Sequence, residues 1–105
     1  MNDPLGVDSV VSVAGVAIRL TRERWTHITA RHPELADFRD AVLSTVERPN
    51  RVLEGGDGEL LAICETEPGK CLVVAYREGD ADGFILTAFL TRRMKSLSGR
   101  PQRWP

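Results

Sequence analysis

The chain has 105 residues, of which 42% are hydrophobic and 28% charged, and 14 basic side chains nearly balance 15 acidic ones. This composition is typical of a globular domain and excludes a disordered chain, a membrane helix of ~20 apolar residues and nucleic-acid binding over the whole surface. We expect one domain over residues 1–105, with a core at 9–95, a flexible lead-in at 1–8 and a C-terminal tail at 96–105.

The N-terminal stretch MNDPLGVDSVV lacks the basic start and apolar core of a secretion signal, so we expect a cytoplasmic location or delivery within a larger protein. Cys64 and Cys71 lie on neighbouring predicted strands, where their thiols could meet across the sheet. Without an export signal, we expect both to be reduced core residues. The cysteines and histidines show no CxxC or HxxxH spacing, so the sequence predicts neither a metal site nor a cofactor.

In chain order, the first elements are two short β-like runs, Val10–Val13 and Val16–Leu20, separated by Gly15. Thr21 then precedes the stretch RERW. Because threonine often caps a helix and a glutamate in the first turn suits the helix dipole, this pattern predicts the start of a first helix.

Two helices are predicted, separated at Pro33 because the residue before a proline avoids the α region. In the first helix, Trp25, Ile28 and His32 fall on one side at helical spacing. The second helix begins with the proline itself and ends at Pro49. Its apolar stripe consists of Leu35, Phe38, Val42 and Val46.

Strand-like runs follow, and the longest pair is Cys71–Tyr76 and Phe84–Leu90, joined by the acidic turn Glu78–Gly83. The pair predicts a β-hairpin in the middle of a sheet, because both runs are apolar on both faces. Arg51–Leu53 and Leu60–Glu65 are shorter runs before it. This order predicts an α+β fold: an N-terminal β segment, two helices, then a three- to four-stranded antiparallel sheet with helices on one face.

The second strand of this hairpin is predicted to carry polar groups on one face only. Strict alternation puts one set of side chains on that face: Ile85, Thr87, Phe89 and Thr91. The other set is apolar and is expected to face the helices: Phe84, Leu86, Ala88 and Leu90. Arg92 and Lys95 follow the strand, so hydroxyl and cationic groups are expected to converge where a phosphate could bind.

Each of these candidate residues could also have a purely structural role. Threonine is a common strand residue, so Thr87 and Thr91 can be structural. Tyr76 and Arg77 end the adjacent strand and are candidates for substrate binding and for stabilising a charged phosphorane. Arg77 could equally pair with the acidic residues of the following turn.

His27 and His32 carry the two imidazoles of the chain, and imidazole is the side chain best suited to acid–base catalysis near neutral pH. On one uninterrupted helix they would point ~140° apart. His32, on the side of Trp25, is the stronger candidate for a general base. Its alternative is a helix-end histidine that bonds a neighbouring carbonyl, whereas His27 is either exposed or paired with a second element.

Several stretches together resemble the barnase–EndoU–colicin–RelE superfamily of small nucleases: WTHITARHPEL, ERPNRV, KCLVVAYRE and ILTAFLTRRMK. The likeness is to phage-associated and polymorphic-toxin members, more weakly to BrnT-type toxins, and it covers residues 18–95. It implies a helical N-terminal part, a four-stranded antiparallel sheet and metal-independent cleavage of RNA. It also implies catalytic roles for His32, His27, Arg77, Thr87 and Thr91. Toxins of this type are often basic, and this chain is not.

The reaction implied is transesterification, in which an imidazole removes the proton of the RNA 2′-hydroxyl. Arg77 with Arg92 or Lys95 would stabilise the phosphorane, and a threonine would position a phosphate oxygen. The expected partners are an RNA substrate and a cognate antitoxin or immunity protein. The alternative is a non-catalytic RNA- or protein-binding module of the same fold.

Overall fold

The computed structural model describes residues 7–80 and 82–105, and it confirms the α+β class. The elements are β1 Val7–Val11, β2 Ala17–Thr21, α1 Arg22–Arg31, α2 Arg39–Glu47, β3 Arg51–Glu54, β4 Leu60–Glu67, β5 Lys70–Glu78, β6 Asp82–Thr91, α3 Met94–Ser98 and β7 Gln102–Trp104. Within these described ranges, no helix is long and apolar enough to cross a bilayer.

All seven strands form one mixed sheet, in the order β1-β2-β6-β5-β4-β3-β7. The hairpin β5–β6 lies near its middle, as predicted. The prediction of a three- to four-stranded antiparallel sheet is wrong in detail, because β2 pairs in parallel with β6 through Ala17–Arg19 and Asp82–Phe84. This pairing joins the N-terminal hairpin to the central sheet, and the helices and strands between β2 and β6 supply the long connection that a parallel pair needs.

The first helix begins where the sequence predicts. The hydroxyl of Thr21 accepts the backbone N–H of Arg24 at 3.0 Å, which satisfies one of the free N–H groups of the first turn. Helix α1 packs against β2 and β6. Because β2 pairs with β6 only as far as Phe84, α1 covers the next part of that strand edge, where the Arg24 guanidinium donates to the Leu86 carbonyl at 3.4 Å.

The predicted second helix is broken at its start. Pro33–Leu35 forms a single 3-10 turn, and α2 begins only at Arg39. The break has a tertiary cause: Leu35 is fully buried in the core, and Arg39 is held by Asp8 of β1, whose carboxylate accepts its Nε–H at 2.6 Å. Asp8 is 2% exposed and so belongs to the folded core rather than to the lead-in. Val7 of the predicted lead-in also belongs to β1, and residues 1–6 lie outside the described residues.

The sheet has two buried faces, which explains why β5 is apolar on both sides. The inner face packs against α1 and α2, and in β5 it consists of Leu72, Val74 and Tyr76. The outer face consists in β5 of Cys71, Val73 and Ala75. Leu97 of α3 covers part of the outer face and is 5% exposed, so the prediction of helices on one face only is wrong. The tail expected at 96–105 thus supplies a core residue and a strand.

A β-bulge in β6 changes which side chains share the outer face. Ala75 pairs with Thr87, and Tyr76 pairs with Ile85, which leaves Leu86 as the extra residue. Ile85 therefore packs in the inner core and Leu86 against the outer one, the reverse of what strict alternation predicts. Thr87, Phe89 and Thr91 remain together on the outer face, opposite Ala75, Val73 and Cys71.

The two cysteines cannot meet. Cys64 pairs with Leu72 of the inner face, whereas Cys71 on the outer face pairs with Glu65. Both cysteines are free, and burial raises the pKa of the Cys71 thiol. The expectation of reduced cysteines agrees with this arrangement, and Cys71 is a buried, weakly reactive core residue.

Candidate active site

The hydroxyl-bearing part of the outer face is a row of three side chains on β6: Thr87, Phe89 and Thr91. All three are half-buried. Neighbouring members of the row are roughly 7 Å apart, because a strand advances ~3.3 Å per residue. We call these three residues the β6 row. It combines two hydroxyls with one aromatic ring on an otherwise apolar surface.

His32 reaches this row from its edge. The ring of His32 lies 6.3 Å from the ring of Phe89, measured between centroids, and the two rings are tilted by 37°. The position follows from α1, which runs along the edge of β6 and ends at Arg31; His32 is the next residue, and its backbone N–H bonds to the Ile28 carbonyl. The structure thus brings an imidazole beside the residue that separates the two threonines.

Glu34 is a neighbour of this imidazole that sequence reasoning missed. Its Oε2 lies 3.7 Å from Nδ1 of His32, and the two side chains are 49% and 33% exposed. The separation is longer than a hydrogen bond, so the pair is a loose, partly exposed contact between a carboxylate and an imidazole. The spacing His-Pro-Glu is the signal that could have found this pair, since the proline turns the chain back towards the histidine.

His27 is not part of this group. It is exposed on α1, and its side chain makes no hydrogen bond or ion pair with any residue in the described part of the chain. The structure therefore separates the two imidazoles that the sequence offered as candidates, and only His32 lies at the β6 row.

Arg77 lies on the outer face, beyond the Thr87 end of the β6 row. It pairs with Phe84, whereas Thr91 pairs with Cys71, so the strand geometry puts Arg77 and Thr91 roughly 20 Å apart along the sheet. Its Nη1 donates to the backbone carbonyl of Asp57 at 3.0 Å. The predicted alternative, a pairing with the turn after β5, is therefore not the contact that forms. The guanidinium instead forms a hydrogen bond with the turn between β3 and β4.

Tyr76 does not line the outer face at all. Its side chain is 0% exposed in the inner core. Burial, with a smaller effect from the Glu78 carboxylate, raises the pKa of its phenol to about 12. Since neighbouring strand residues point to opposite faces, Tyr76 and Arg77 cannot serve one site, and the predicted role of Tyr76 at the phosphate site does not fit.

The cations that follow β6 are exposed. Arg92 forms an ion pair with Glu67 at 3.7 Å, and Lys95 lies on α3. The hydroxyl of Thr91 accepts the backbone N–H of Arg93 at 3.0 Å in the turn that leads to α3. The side chain of Thr87 has no hydrogen-bond partner within residues 7–80 and 82–105, so its hydroxyl is the more available of the two.

Arg24 is a second candidate, which the sequence analysis did not single out. Through its contact with the Leu86 carbonyl it lies at the same edge of β6 as His32. Residues 24, 28 and 32 are each one helical turn apart, so the same stripe of α1 carries the guanidinium, the buried Ile28 and the imidazole. This spacing was visible in the sequence, but the identity of the element that α1 would border was not.

Among the described residues, no group of three or more His, Cys, Asp or Glu side chains is placed to hold a metal ion. Comparisons with protein-family models, with curated proteins and with solved structures find no match to this chain. The resemblance to small nucleases therefore stays a prediction. The structural features that bear on function are the side chains around the β6 row.

Proposed function

We propose that the protein is a metal-independent endoribonuclease of toxin-like type, with His32 as its general base. The observation that carries the proposal is the position of the imidazole: it lies against Phe89, next to the Glu34 carboxylate and at the edge of a face that presents two hydroxyls. An imidazole that has a carboxylate nearby and borders two hydroxyls suits proton removal beside a phosphate.

In the proposed reaction, Nε2 of His32 accepts the proton of the RNA 2′-hydroxyl. The 2′-oxygen forms a bond to the neighbouring phosphorus, and the bond from phosphorus to the 5′-oxygen breaks. That oxygen takes a proton from water, so the products are a 2′,3′-cyclic phosphate and a 5′-hydroxyl. The attacking group belongs to RNA, and DNA, which lacks it, is not cut.

The charge that develops on the phosphorane needs a cation at the β6 row. Arg77 is two residues beyond Ala75, the partner of Thr87, but its guanidinium already binds the Asp57 carbonyl. We assign this role to Arg24, which lies about 12 Å along α1 from His32 and whose guanidinium lies beside Leu86, the neighbour of Thr87, with Arg92 and Lys95 attracting the RNA backbone. Thr87 donates to a non-bridging phosphate oxygen.

The test is incubation of the purified protein with RNA and with DNA of the same sequence in EDTA. We expect cleavage of RNA alone, with cyclic-phosphate ends, and a loss of at least about 100-fold in His32→Gln. His27→Gln is the matched control, because it changes an exposed imidazole on the same helix and should leave the rate unchanged. Cleavage that needs a divalent metal, or that survives in His32→Gln, contradicts the proposal.

A second candidate is a non-catalytic RNA- or protein-binding module. The observation that favours it is the use of Thr91 by the turn to α3, which leaves one freely available hydroxyl in the row. In that case His32→Gln would lower stability with no RNA cleavage to lose. Under either proposal, the outer face is where a cognate antitoxin or immunity protein would bind, and a cytoplasmic location would bring RNA within reach.

A further inference from the structure

The outer face carries an exposed aromatic ring that the proposed cleavage reaction does not use. Phe84 of β6 is 45% exposed. Strict alternation predicts that this residue faces the helices, but the bulge at Leu86 places Phe84 on the outer face, as the partner of Arg77. A single exposed phenylalanine is not unusual by itself, so its neighbours decide what it can bind.

Phe84 lies between two arginines of the neighbouring strands. Arg19 of β2 is its partner on one side, and Arg77 of β5 is its partner on the other. Arg19 alternates with the buried residues Ile18 and Leu20, so it points to the outer face as Arg77 does. Because paired residues have Cβ atoms ~5 Å apart, these three side chains form a row across three strands.

The faces of the Phe84 ring are free of stacking partners within the described residues. The cation–π contact in this part of the chain is that of Arg39 over Trp25, and the contact between rings is that of His32 with Phe89. A flat ring that is exposed and unstacked, with a cation on each side, suits a ligand that combines a flat ring with a negative charge.

Both arginines can take a phosphate. Arg19 forms an ion pair with Asp82 at 3.0 Å, and the two side chains are 53% and 55% exposed, so a phosphate can compete for this guanidinium. Arg77 donates to the Asp57 carbonyl through Nη1 and has further N–H donors. The carboxylates of Asp82 and Glu59 offset part of the positive charge, so the ring has to supply most of the affinity.

This row continues the surface of the proposed active site. Phe84 lies beyond the Thr87 end of the β6 row, ~10 Å from Thr87 along the strand. Arg24, to which we assign the stabilisation of the phosphorane, contacts the carbonyl of Leu86 between them. A strand of RNA that is cleaved at the β6 row can therefore place a neighbouring nucleotide at Phe84.

We propose that Phe84 is a base-stacking subsite for single-stranded RNA, with Arg19 and Arg77 holding a phosphate beside the stacked base. Bases in a duplex hide their faces in the helical stack, whereas unpaired bases can lie on an exposed aromatic ring. Because every base has such a face, the subsite selects unpaired RNA rather than a particular sequence. This inference rests on the proposed function, since it takes RNA to be the substrate.

The test measures binding in the His32→Gln chain with EDTA, so that the RNA stays intact. The probe is a fluorescein-labelled single-stranded oligoribonucleotide of about 10 nucleotides and mixed sequence, followed by anisotropy. Phe84→Leu, which keeps an apolar side chain but removes the ring, should weaken binding about tenfold and leave the affinity for the matching duplex unchanged. Phe84→Trp should bind at least as tightly as phenylalanine.

Two further variants separate stacking from general effects on the surface. Val11 is also an exposed apolar residue of the outer face, so Val11→Ala should bind RNA like the parent chain. Arg19→Gln should weaken binding less than Phe84→Leu and reduce its dependence on salt concentration. Because Phe84 and Val11 are exposed, both variants should keep the thermal midpoint of the parent chain.

Absence of saturable binding, equal affinities of the parent chain and Phe84→Leu, or an equal loss for single-stranded and duplex RNA would each overturn the inference. With His32 intact, Phe84→Leu should raise KM and leave kcat unchanged. Cleavage with an unchanged KM in this variant would remove the subsite and leave the assignment of His32 standing. RNA that binds through Phe84 but is not cut would contradict the proposed nuclease and support the subsite.

Discussion

Single residues in this protein take their roles from the element that faces them rather than from their type. Arg77 and Arg24 are both arginines near the central hairpin, yet Arg77 binds the Asp57 carbonyl and Arg24 borders the edge next to His32. The turn that Arg77 contacts, between β3 and β4, contains further hydrogen bonds of its own. In it, the Glu59 carboxylate accepts the backbone N–H of Asp57 at 2.8 Å.

This turn should make stability depend on pH. Backbone hydrogen bonds from Asp57 and from Glu59 itself, helped by Arg77, hold the pKa of the Glu59 carboxyl below its ordinary value of 4.5. A carboxyl with a lowered pKa in the folded state stabilises the fold above that ordinary value, and the effect disappears as the pH falls through the folded-state pKa. Thermal unfolding of wild type and Glu59→Gln should therefore differ at pH 7 and converge in acid.

A second variant tests whether the position of the Glu59 carboxylate causes this pH dependence of stability. A Cβ on Gly55 would lie 2.3 Å from the Glu59 carboxyl carbon, so Gly55→Ala should displace that side chain and remove the same pH dependence. Parallel pH profiles for wild type and Glu59→Gln would contradict the assignment.

At the scale of elements, β2, β6 and β5 meet closely at Gly83. Gly83 pairs with Ile18 on one side and with Glu78 on the other. A Cβ at this position would lie 2.0 Å from the Arg77 carbonyl oxygen and 2.8 Å from the Ile18 side chain. The pairing of β6 with β5 therefore requires a residue without a side chain here, and the contact with Ile18 of β2 adds to that requirement.

Gly83→Ala should accordingly destabilise the protein by about 3 kcal/mol, because a backbone oxygen would have to move. Gly99→Ala is the control, since its added Cβ meets nothing within 4 Å. It should change the free energy of unfolding by no more than about 0.5 kcal/mol. Denaturant unfolding of both variants measures the difference, and equal stabilities would refute this account of the junction.

The elements that the sequence predicts well are those with strong local signals. The Thr21 cap and the hairpin β5–β6 are examples, because hydroxyl capping and long apolar runs need no tertiary information. The bulge at Leu86, the break before α2 and the parallel pair depend on contacts between distant segments. For the site, the shared face of the two threonines was predictable, whereas the edge position of His32 depends on where α1 packs.

At the scale of the whole molecule, segments from the two opposite edges of the sheet line the same pocket on its inner side. The turn after β1 and the residues of β7 both line it, although β1 and β7 are the outermost strands of the sheet. Strand β7 also protects the free edge of β3, where the Glu54 N–H donates to the Pro101 carbonyl at 2.9 Å. An unprotected edge strand is a template for association.

Removal of residues 100–105 should therefore have two effects. The free energy of unfolding should fall by about 1–2 kcal/mol, since backbone hydrogen bonds and the Trp104 contact are lost. The variant should also associate at concentrations where the full chain does not, because the edge of β3 becomes accessible. Calorimetry and size-exclusion chromatography measure the two effects.

The control is Arg103→Gln, which removes only the exposed pair with Glu54 and should cost at most about 0.5 kcal/mol. A truncated chain that keeps both the stability and the elution volume of the full chain would show that β7 has no protective role.

The parallel pair of β2 and β6 also constrains the order of events during synthesis. The partner of Ala17 is Asp82, about 65 residues further along the chain. The hairpin β1–β2 is synthesised before β6, the strand on which it docks. Until β6 has been synthesised, Ile18 and Leu20 lack the β5–β6 part of their core, so formation of the native sheet cannot begin with the hairpin alone.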